Sequence, residues 1–344
     1  MRELPFILML SIFIIACSEQ TEIGTRNAHQ DYLINSTDSV KIFVREFQDP
    51  LSDTLFPYPL LLVHGGGPGV IASFDVDVPN GSFAKLLAAK GIKVYMMNIR
   101  GWEASTLPEY DENDSILVIG NHKEAYDDIK SVVDFIKEKD HVDKISLFGW
   151  ATGGHWAGYF ASRNSADLAH FISLNSLYGT DAPWELKQFF WQEEDTTKFK
   201  KGGLFRTSDR QGLVSKWMET IPVSDKNEWR DSLVMEGYRN TAVSFGKDTT
   251  KMTVPGGYRE ESFYMSQGRK YWTARDIYAP SLIIRTELDF WSRPEDLKAF
   301  DEDLPPTIER RIIEIPGTHY VFLDRLEKGK GELVDEMVEF LEKE

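Results

Sequence analysis

The chain has 344 residues, of which 42% are hydrophobic and 27% are charged. This length and balance are typical of a globular protein with one enlarged domain, or with a core and a cap. The formal net charge is -16, which argues against a nucleic-acid-binding function, because a phosphate backbone attracts basic surfaces.

An apolar run near the N-terminus, Phe6–Ala16, is too short to span a bilayer but is typical of the hydrophobic region of an export signal. The only cysteine of the chain, Cys17, follows it directly. This order resembles the lipobox of bacterial lipoproteins, in which the cysteine is lipidated and becomes the first mature residue. The alternative is an ordinary secretory signal with a chance cysteine. We expect a lipoprotein-type signal peptide at 1–17, a flexible tether at 18–30, and a protein exported to the bacterial cell envelope with a lipid anchor in the membrane.

Two β-rich stretches, 31–36 and 40–47, open the domain and predict a hairpin. The apolar run Leu60–Val63 comes next and is stopped by glycines, a pattern that predicts a strand buried on both faces of a parallel sheet. The same pattern recurs at 93–98, 144–148, 171–174, 281–284 and 311–315.

Helical patterns lie between these strands, as where Ile129, Val132, Val133 and Ile136 mark one apolar face. Alternating strands and helices predict an α/β fold, with a mostly parallel, doubly wound sheet that helices cover on both faces.

One stretch, 181–276, breaks this alternation because it is charged and rich in aromatic residues. We expect it to be a helical cap, inserted between two parts of the core at 31–180 and 277–344. Most of its aromatic side chains are expected to form the cap's own core, and some to line a pocket. The alternative is a simple elaboration of the surface.

Two glycine-rich turns follow predicted strands. In His64–Gly69, with the sequence HGGGPG, the glycines let the backbone approach a ligand and point N–H groups at it. In the second turn, GWATGG, the glycines Gly149 and Gly153 flank Ala151. The spacing Gly-x-x-x-Gly between a strand and a helix is typical of a very sharp turn.

An acidic residue and a histidine follow two later strands, in the order Asp289 and then His319. An acid that holds one tautomer of an imidazole makes that imidazole a general base. Glu287 and Asp296 are the other candidates for the acid.

Together these segments resemble the α/β-hydrolase fold superfamily, whose chains carry an oxyanion-hole loop, a nucleophile elbow, an acid and a histidine in this order. The resemblance implies that the backbone amides of Gly66, Gly67 and Thr152 form an oxyanion hole. It also implies that Ala151 stands where the superfamily places Ser, Cys or Asp as nucleophile.

A methyl group cannot attack a carbonyl, so no acyl-enzyme can form at Ala151. The neighbouring Thr152 hydroxyl is expected to cap the following helix rather than to attack. Three explanations stay open: an engineered inactivation, a binding protein on a hydrolase scaffold, or chemistry that needs only a base.

The sequence therefore predicts a hydrolase that acts on a small, partly apolar, ester-like or amide-like carbonyl substrate. In this prediction His319 and Asp289 act as a base dyad beside the oxyanion hole. The alternative is a non-catalytic, ligand-binding pseudoenzyme on a lipoprotein anchor. No cluster of His, Cys, Asp and Glu has metal-ligand spacing, and we expect no metal and no cofactor.

Overall fold

The computed structural model describes residues 29–49, 56–111, 114 and 117–342. The predicted signal peptide and Cys17 lie outside the described residues, as does nearly all of the predicted tether. Among the described residues, no helix is both long and apolar enough to cross a membrane.

The described chain has ten strands, most of them within one large sheet. They are β1 (His29–Asn35), β2 (Lys41–Phe47), β3 (Leu60–Val63), β4 (Val94–Met97), β5 (Ile145–Trp150), β6 (Leu168–Leu174), β7 (Phe205–Asp209), β8 (Lys251–Pro255), β9 (Ser281–Leu288) and β10 (Arg310–Thr318).

Eight of these strands form the central sheet, in the order β1-β2-β4-β3-β5-β6-β9-β10. The pairs β1–β2 and β2–β4 are antiparallel, and every other pair is parallel. All four residues of β3 are fully buried. Since successive side chains of a strand point to opposite faces, both faces of the sheet are covered at β3. The prediction of a mostly parallel α/β sheet is confirmed.

The described helices are α1 (Val70–Phe74), α2 (Phe83–Ala88), α3 (His122–Asp140), α4 (Thr152–Ala161), α5 (Ser215–Thr220), α6 (Ser232–Ser244), α7 (Tyr258–Met265), α8 (Pro294–Asp303) and α9 (Lys330–Leu341). Helix α3 packs against α4, and α2 packs against α9. The predicted apolar face of α3 is fully buried. A capping box between Asn121 and Glu124 begins this helix and satisfies its first backbone N–H groups.

The segment 181–276 lies between β6 and β9 and contains α5, α6 and α7. It also contains an antiparallel pair, β7 with β8, which the sequence analysis did not predict. The segment packs onto the core, as where the buried Trp217 of α5 donates a hydrogen bond of 2.8 Å from its indole N–H to Asp324, which follows β10.

Candidate active site

Ala151 stands at the sharp turn between β5 and α4, with φ 52° and ψ -116°. A residue with a side chain adopts such a conformation only where its surroundings impose it, at a cost of roughly 1–3 kcal/mol. Two backbone contacts impose this conformation on Ala151. A Cβ atom on Gly149 would lie 2.3 Å from the carbonyl oxygen of Gly153, and the Ala151 amide donates a hydrogen bond of 2.8 Å to the carbonyl of Leu174. The turn thus has the geometry of a nucleophile elbow and carries a methyl group.

His319, in the turn after β10, and Asp289, in the turn after β9, are joined by a hydrogen bond of 2.6 Å between Nδ1 and Oδ1. The Asp289 carboxylate also accepts hydrogen bonds from the backbone amides of Trp291 and Ser292, at 3.0 and 2.7 Å, and from the Ser292 hydroxyl. Its side chain is fully buried, so these donors hold it in one orientation. A carboxylate that accepts a hydrogen bond from Nδ1–H keeps the proton of the neutral ring on Nδ1 and leaves the Nε2 lone pair of His319 available to take a proton.

The His319 ring lies between aromatic neighbours, with ring centroids 4.9 Å from Trp150 and 4.5 Å from Phe290. Its backbone carbonyl accepts hydrogen bonds from Trp150 Nε1 at 3.1 Å and from Asn175 Nδ2 at 3.4 Å. Trp150, the residue before Ala151 in the elbow, therefore also positions the backbone of His319.

The other two acids considered in the sequence analysis lie elsewhere. Glu287 is exposed at the end of β9. Asp296 is buried in an ion pair with Arg293, with 2.7 Å between the nearest nitrogen and oxygen. Of the three candidates, only Asp289 is hydrogen-bonded to His319 in the described part of the chain.

The glycine-rich loop His64–Gly69 is anchored by hydrogen bonds of the His64 side chain, which is fully buried. Its Nδ1 lies 2.6 Å from the carbonyl of Gly65, and its Nε2 accepts a hydrogen bond of 3.0 Å from the amide of Ile99. Burial lowers the pKa of His64 to about 4, although the bond to Gly65 acts in the opposite direction. The imidazole is thus neutral near pH 7, as this donor-and-acceptor pattern requires.

Gly66 and Gly67 follow in the same loop, and their carbonyl oxygens accept hydrogen bonds from Arg206 Nη1 at 3.3 Å and from Trp102 Nε1 at 2.8 Å. The amides of Gly66, Gly67 and Thr152 donate to no acceptor in the part of the chain that the structure describes. These three residues line the same cavity. Free amides on a cavity wall can stabilise negative charge on an oxygen atom.

The predicted capping role of the Thr152 hydroxyl is wrong. Its Oγ1 is buried and forms no hydrogen bond with any described residue. The N-cap position of α4 belongs to Ala151, which has no side-chain acceptor. Thr152 is already the first residue inside the helix, one position too late for its side chain to reach the first free N–H groups.

Ala151 and His319 open onto one cavity of about 340 Å³, at the lower end of the size range of small-molecule sites. Much of its wall is apolar or aromatic and comes from Trp150, Leu186, Phe190, Leu213, Phe290 and Trp291. Several of these residues belong to the inserted segment, which therefore forms part of the cavity wall.

The cavity also contains polar groups that the sequence analysis missed. Arg206 of β7 lines it together with Tyr238, Tyr258 and Tyr320, and Arg206 Nη1 donates a hydrogen bond of 2.8 Å to the Tyr258 hydroxyl. A Cβ atom on Gly66 would lie 2.2 Å from the Tyr258 ring, so only glycine fits there. The aromatic richness of the segment 181–276 was the available signal, but nothing in the sequence indicated which residues face the cavity.

A second polar cluster lies outside this cavity. The side chains of His122, His155 and Glu261 come close enough for their ligand atoms to lie within 4.8 Å of one another. Trp272 Nε1 donates a hydrogen bond of 3.0 Å to His155 Nδ1. Neutral His155 therefore carries its proton on Nε2, which lies 3.5 Å from Glu261 Oε2. That proton would have to leave before Nε2 could bind a metal ion. Within the cluster the hydrogen bond joins His122 and Glu261, whereas His155 Nε2 and Glu261 Oε2 have no hydrogen-bond partner among the described residues.

Burial alone would raise the pKa of Glu261, but the interactions of its carboxylate with His122 and His155 lower it to about 2. Sequence spacing could not reveal this cluster, because its three members come from three different helices.

Comparison with known proteins agrees with this fold. Two curated proteins resemble the chain: the poly(3-hydroxyalkanoate) polymerase subunit PhaC of Haloferax mediterranei, 22% identical over 302 residues, and lipase member M of Mus musculus, 27% identical over 118 residues. The first match covers 82% of this chain and 58% of the relative, and the second covers 34% and 28%. The chain thus spans less than two thirds of either relative.

Several solved structures share the fold. A thioesterase domain from the curacin biosynthetic pathway has a TM-score of 0.57 at 14% identity, covering 92% of this chain and 100% of the domain. Naproxen esterase from Bacillus subtilis has a TM-score of 0.58 at 15% identity, covering 91% and 92%. An esterase from Thermogutta terrifontis has a TM-score of 0.58 at 18% identity, covering 91% and 98%. The sequence profile of the alpha/beta hydrolase fold matches residues 58–326. The chain belongs to the α/β-hydrolase fold family.

Proposed function

We propose that this protein hydrolyses a small, partly apolar, ester-like substrate, with His319 as a general base and without a covalent intermediate. The observation that carries the proposal is the 2.6 Å hydrogen bond between His319 and Asp289, on the wall of a cavity that free backbone amides also line. A base and an oxyanion site suffice to activate water against a carbonyl.

The proposed reaction has two steps. His319 Nε2 takes a proton from a water molecule as the water oxygen bonds to the carbonyl carbon, and the carbonyl oxygen becomes an oxyanion. The amides of Gly66 and Thr152 donate hydrogen bonds to that oxyanion. The tetrahedral intermediate then collapses, the bond to the leaving oxygen breaks, and that oxygen receives the proton from His319. The products are a carboxylic acid and an alcohol, and His319 returns to its neutral form.

Ala151 favours this mechanism over an acyl-enzyme, because the methyl group leaves free the volume that a serine hydroxyl would occupy. A water molecule has the size of that hydroxyl. In a serine protease, loss of the nucleophile costs on the order of a million-fold in turnover and leaves a residual rate about 10³–10⁴ above water. We therefore expect slow turnover, carried by the base and the oxyanion amides.

A second candidate function is ligand binding without catalysis. The alanine at the elbow is the observation that favours it, because a binding protein has no use for a nucleophile. The two candidates differ in what His319 does: it is required for turnover in the first, and it is only part of the cavity wall in the second.

The test compares four forms of the protein on a panel of p-nitrophenyl esters of graded acyl length: the natural chain, His319→Ala, Ala151→Ser, and both substitutions together. We expect steady turnover without a burst from the natural chain, and its loss in His319→Ala. Ala151→Ser should turn over faster, with a burst of one equivalent of p-nitrophenol that the double variant lacks.

Turnover by the natural chain that persists in His319→Ala would disprove the base mechanism. No turnover by the chain with Ala151, together with a burst from Ala151→Ser, would disprove catalysis by that chain. Ligand binding or an engineered inactivation would then account for the alanine. Circular dichroism of all four forms shows whether each is folded.

A further inference from the structure

We propose that the ligand of this cavity carries a carboxylate group, which Arg206 binds through the Nε and Nη2 edge of its guanidinium. If the ligand is the substrate, this inference rests on the proposed function, and the substrate is an ester that also carries a free carboxylate. As a statement about binding, it requires no turnover.

The first argument is the pattern of hydrogen bonds around Arg206. Only Nη1 is engaged within the described chain, by the Tyr258 hydroxyl at 2.8 Å and the Gly66 carbonyl at 3.3 Å. Nε and Nη2 have no hydrogen-bond partner among the described residues, neither atom is fully buried, and the Arg206 side chain lines the cavity. These two nitrogens form the edge that presents two parallel N–H bonds to a carboxylate.

The second argument is the charge of the cavity wall. Arg206, Lys216 and Arg259 line it, and no Asp or Glu does so among the described residues, although the chain has 55 acidic residues and 39 Lys and Arg. Lys216 has its own partner in Glu219, at 2.9 Å. Neither arginine forms an ion pair with any residue that the structure describes, and Arg259 Nε is buried without a hydrogen bond.

An arginine keeps its positive charge at every physiological pH. Holding such a charge in a partly buried cavity without a counter-ion costs free energy, and an anionic ligand offsets this cost. A wall with cations and no acid therefore selects anions over neutral molecules of the same shape.

The third argument is the position of Arg206 relative to the proposed reaction centre. Arg206 Nη1 contacts the carbonyl of Gly66, and Gly66 also supplies one of the proposed oxyanion amides. A carboxylate on Arg206 would thus lie close to the scissile carbonyl, with the aromatic wall around the apolar part of the ligand. The expected substrate is a small molecule with a carboxylate at one end and an ester close by.

The alternative role for Arg206 is structural: it would tie β7 to the loop of Gly66 and have no role in ligand binding. Under that alternative, its substitution would lower stability without changing the preference between anionic and neutral ligands. This difference can be measured with matched pairs of ligands.

The experiment titrates the purified full-length protein with three acids, benzoate, 3-phenylpropionate and 5-phenylvalerate, and with the primary amide of each. Binding is followed by calorimetry and by tryptophan fluorescence, which should respond to a ligand because Trp150 and Trp291 line the cavity. We expect at least one acid to bind about tenfold or more tightly than its amide, as is typical of a charge-assisted pair. Arg206→Gln should remove that preference, while Arg163→Gln, which removes an exposed arginine outside the cavity, should keep it.

Arg206→Lys is the second variant, in case the glutamine variant does not fold. It keeps the positive charge and a donor for Gly66, but it loses the two-nitrogen edge, so the preference should fall only in part. The proposal is overturned if no acid binds at millimolar concentration, if acids and amides bind equally to the natural chain, or if the preference for acids is unchanged in the Arg206 variants.

The same titration on His319→Ala separates this inference from the proposed function. His319→Ala should lose turnover and keep the preference for acids, because it leaves Arg206 unchanged. A preference for acids in the unsubstituted chain, together with no turnover by that chain, would support the carboxylate site while the catalytic proposal fails. Turnover of p-nitrophenyl esters without any preference for acids would support catalysis and overturn the carboxylate site.

Discussion

A Cβ atom on Gly153 would lie 2.3 Å from the carbonyl oxygen of His64. Helix α4 therefore begins in direct backbone contact with the residue that leads into the glycine loop after β3. This close approach brings Thr152, at the start of the helix, to the same cavity as Gly66. It depends on the absence of a side chain at Gly153.

Gly153→Ala is therefore expected to destabilise the protein by about 3 kcal/mol, because the new methyl group is fixed to the helix backbone and would meet a backbone carbonyl that cannot easily move aside. Urea unfolding of the two proteins measures the difference in the free energy of unfolding. Gly203→Ala is the matched control, since a Cβ atom there meets nothing within 4 Å. Equal losses in the two variants would show that α4 and the His64 loop are not in this contact.

Asp289→Asn is expected to lower the turnover of the natural chain by at least about a hundredfold, because an amide can donate to Nδ1 and thereby move the imidazole proton to Nε2. Steady-state kinetics on the most reactive p-nitrophenyl ester measure the change in kcat. Glu287→Gln removes an exposed acid two residues away and should leave kcat unaltered. The role of Asp289 would be refuted if the two variants had similar rates.

Because His64 is buried in its neutral form, we expect the stability of the protein to depend on pH in a specific way. Burial lowers its pKa from 6.5 to about 4, so the unfolded chain takes up a proton at a higher pH than the folded chain does. The stability that neutral His64 confers is thus fully present above pH 6.5 and is lost as the pH falls toward 4. The loss over this interval is on the order of 3 kcal/mol.

The test compares the natural chain with His64→Gln. The glutamine side chain stays neutral and can accept a hydrogen bond from the amide of Ile99. Thermal unfolding at several pH values should show a shallower decline for the variant between pH 6.5 and 4. Other groups such as Glu261 titrate in both proteins and cancel in the comparison. Parallel curves would mean that His64 does not carry the effect.

The resemblance of the segment around Cys17 to a lipobox predicts that the mature protein is anchored to a membrane. Lipidation at this residue would place the mature protein in the membrane fraction, held by its acyl chains. Cys17→Ser should move it to the soluble fraction, and metabolic labelling with palmitate should mark the natural chain but not the variant. Recovery of the natural chain from the soluble fraction, without label, would instead favour an ordinary secretory signal.

Local patterns were enough to predict the strands of the central sheet, because short apolar runs such as Leu60–Val63 have few other stable placements. The structure lengthens several of them, as where the run at 281–284 becomes the strand Ser281–Leu288. The pair β7 and β8 was not predicted. Its strands are short, lie in the inserted segment and carry polar residues among few apolar ones, so neither hydrophobic period nor length distinguishes them from loops.

The sequence by itself determined the backbone requirements of the site and its most unusual residue: glycines where no side chain fits, a histidine after the last strand, and a methyl group at Ala151. Only the tertiary structure decided which acid reaches His319 and that Arg206 lines the cavity. These contacts join residues 30 and 140 positions apart along the chain. Packing of distant elements determines such contacts, whereas the glycine turns obey steric limits that act within a few residues.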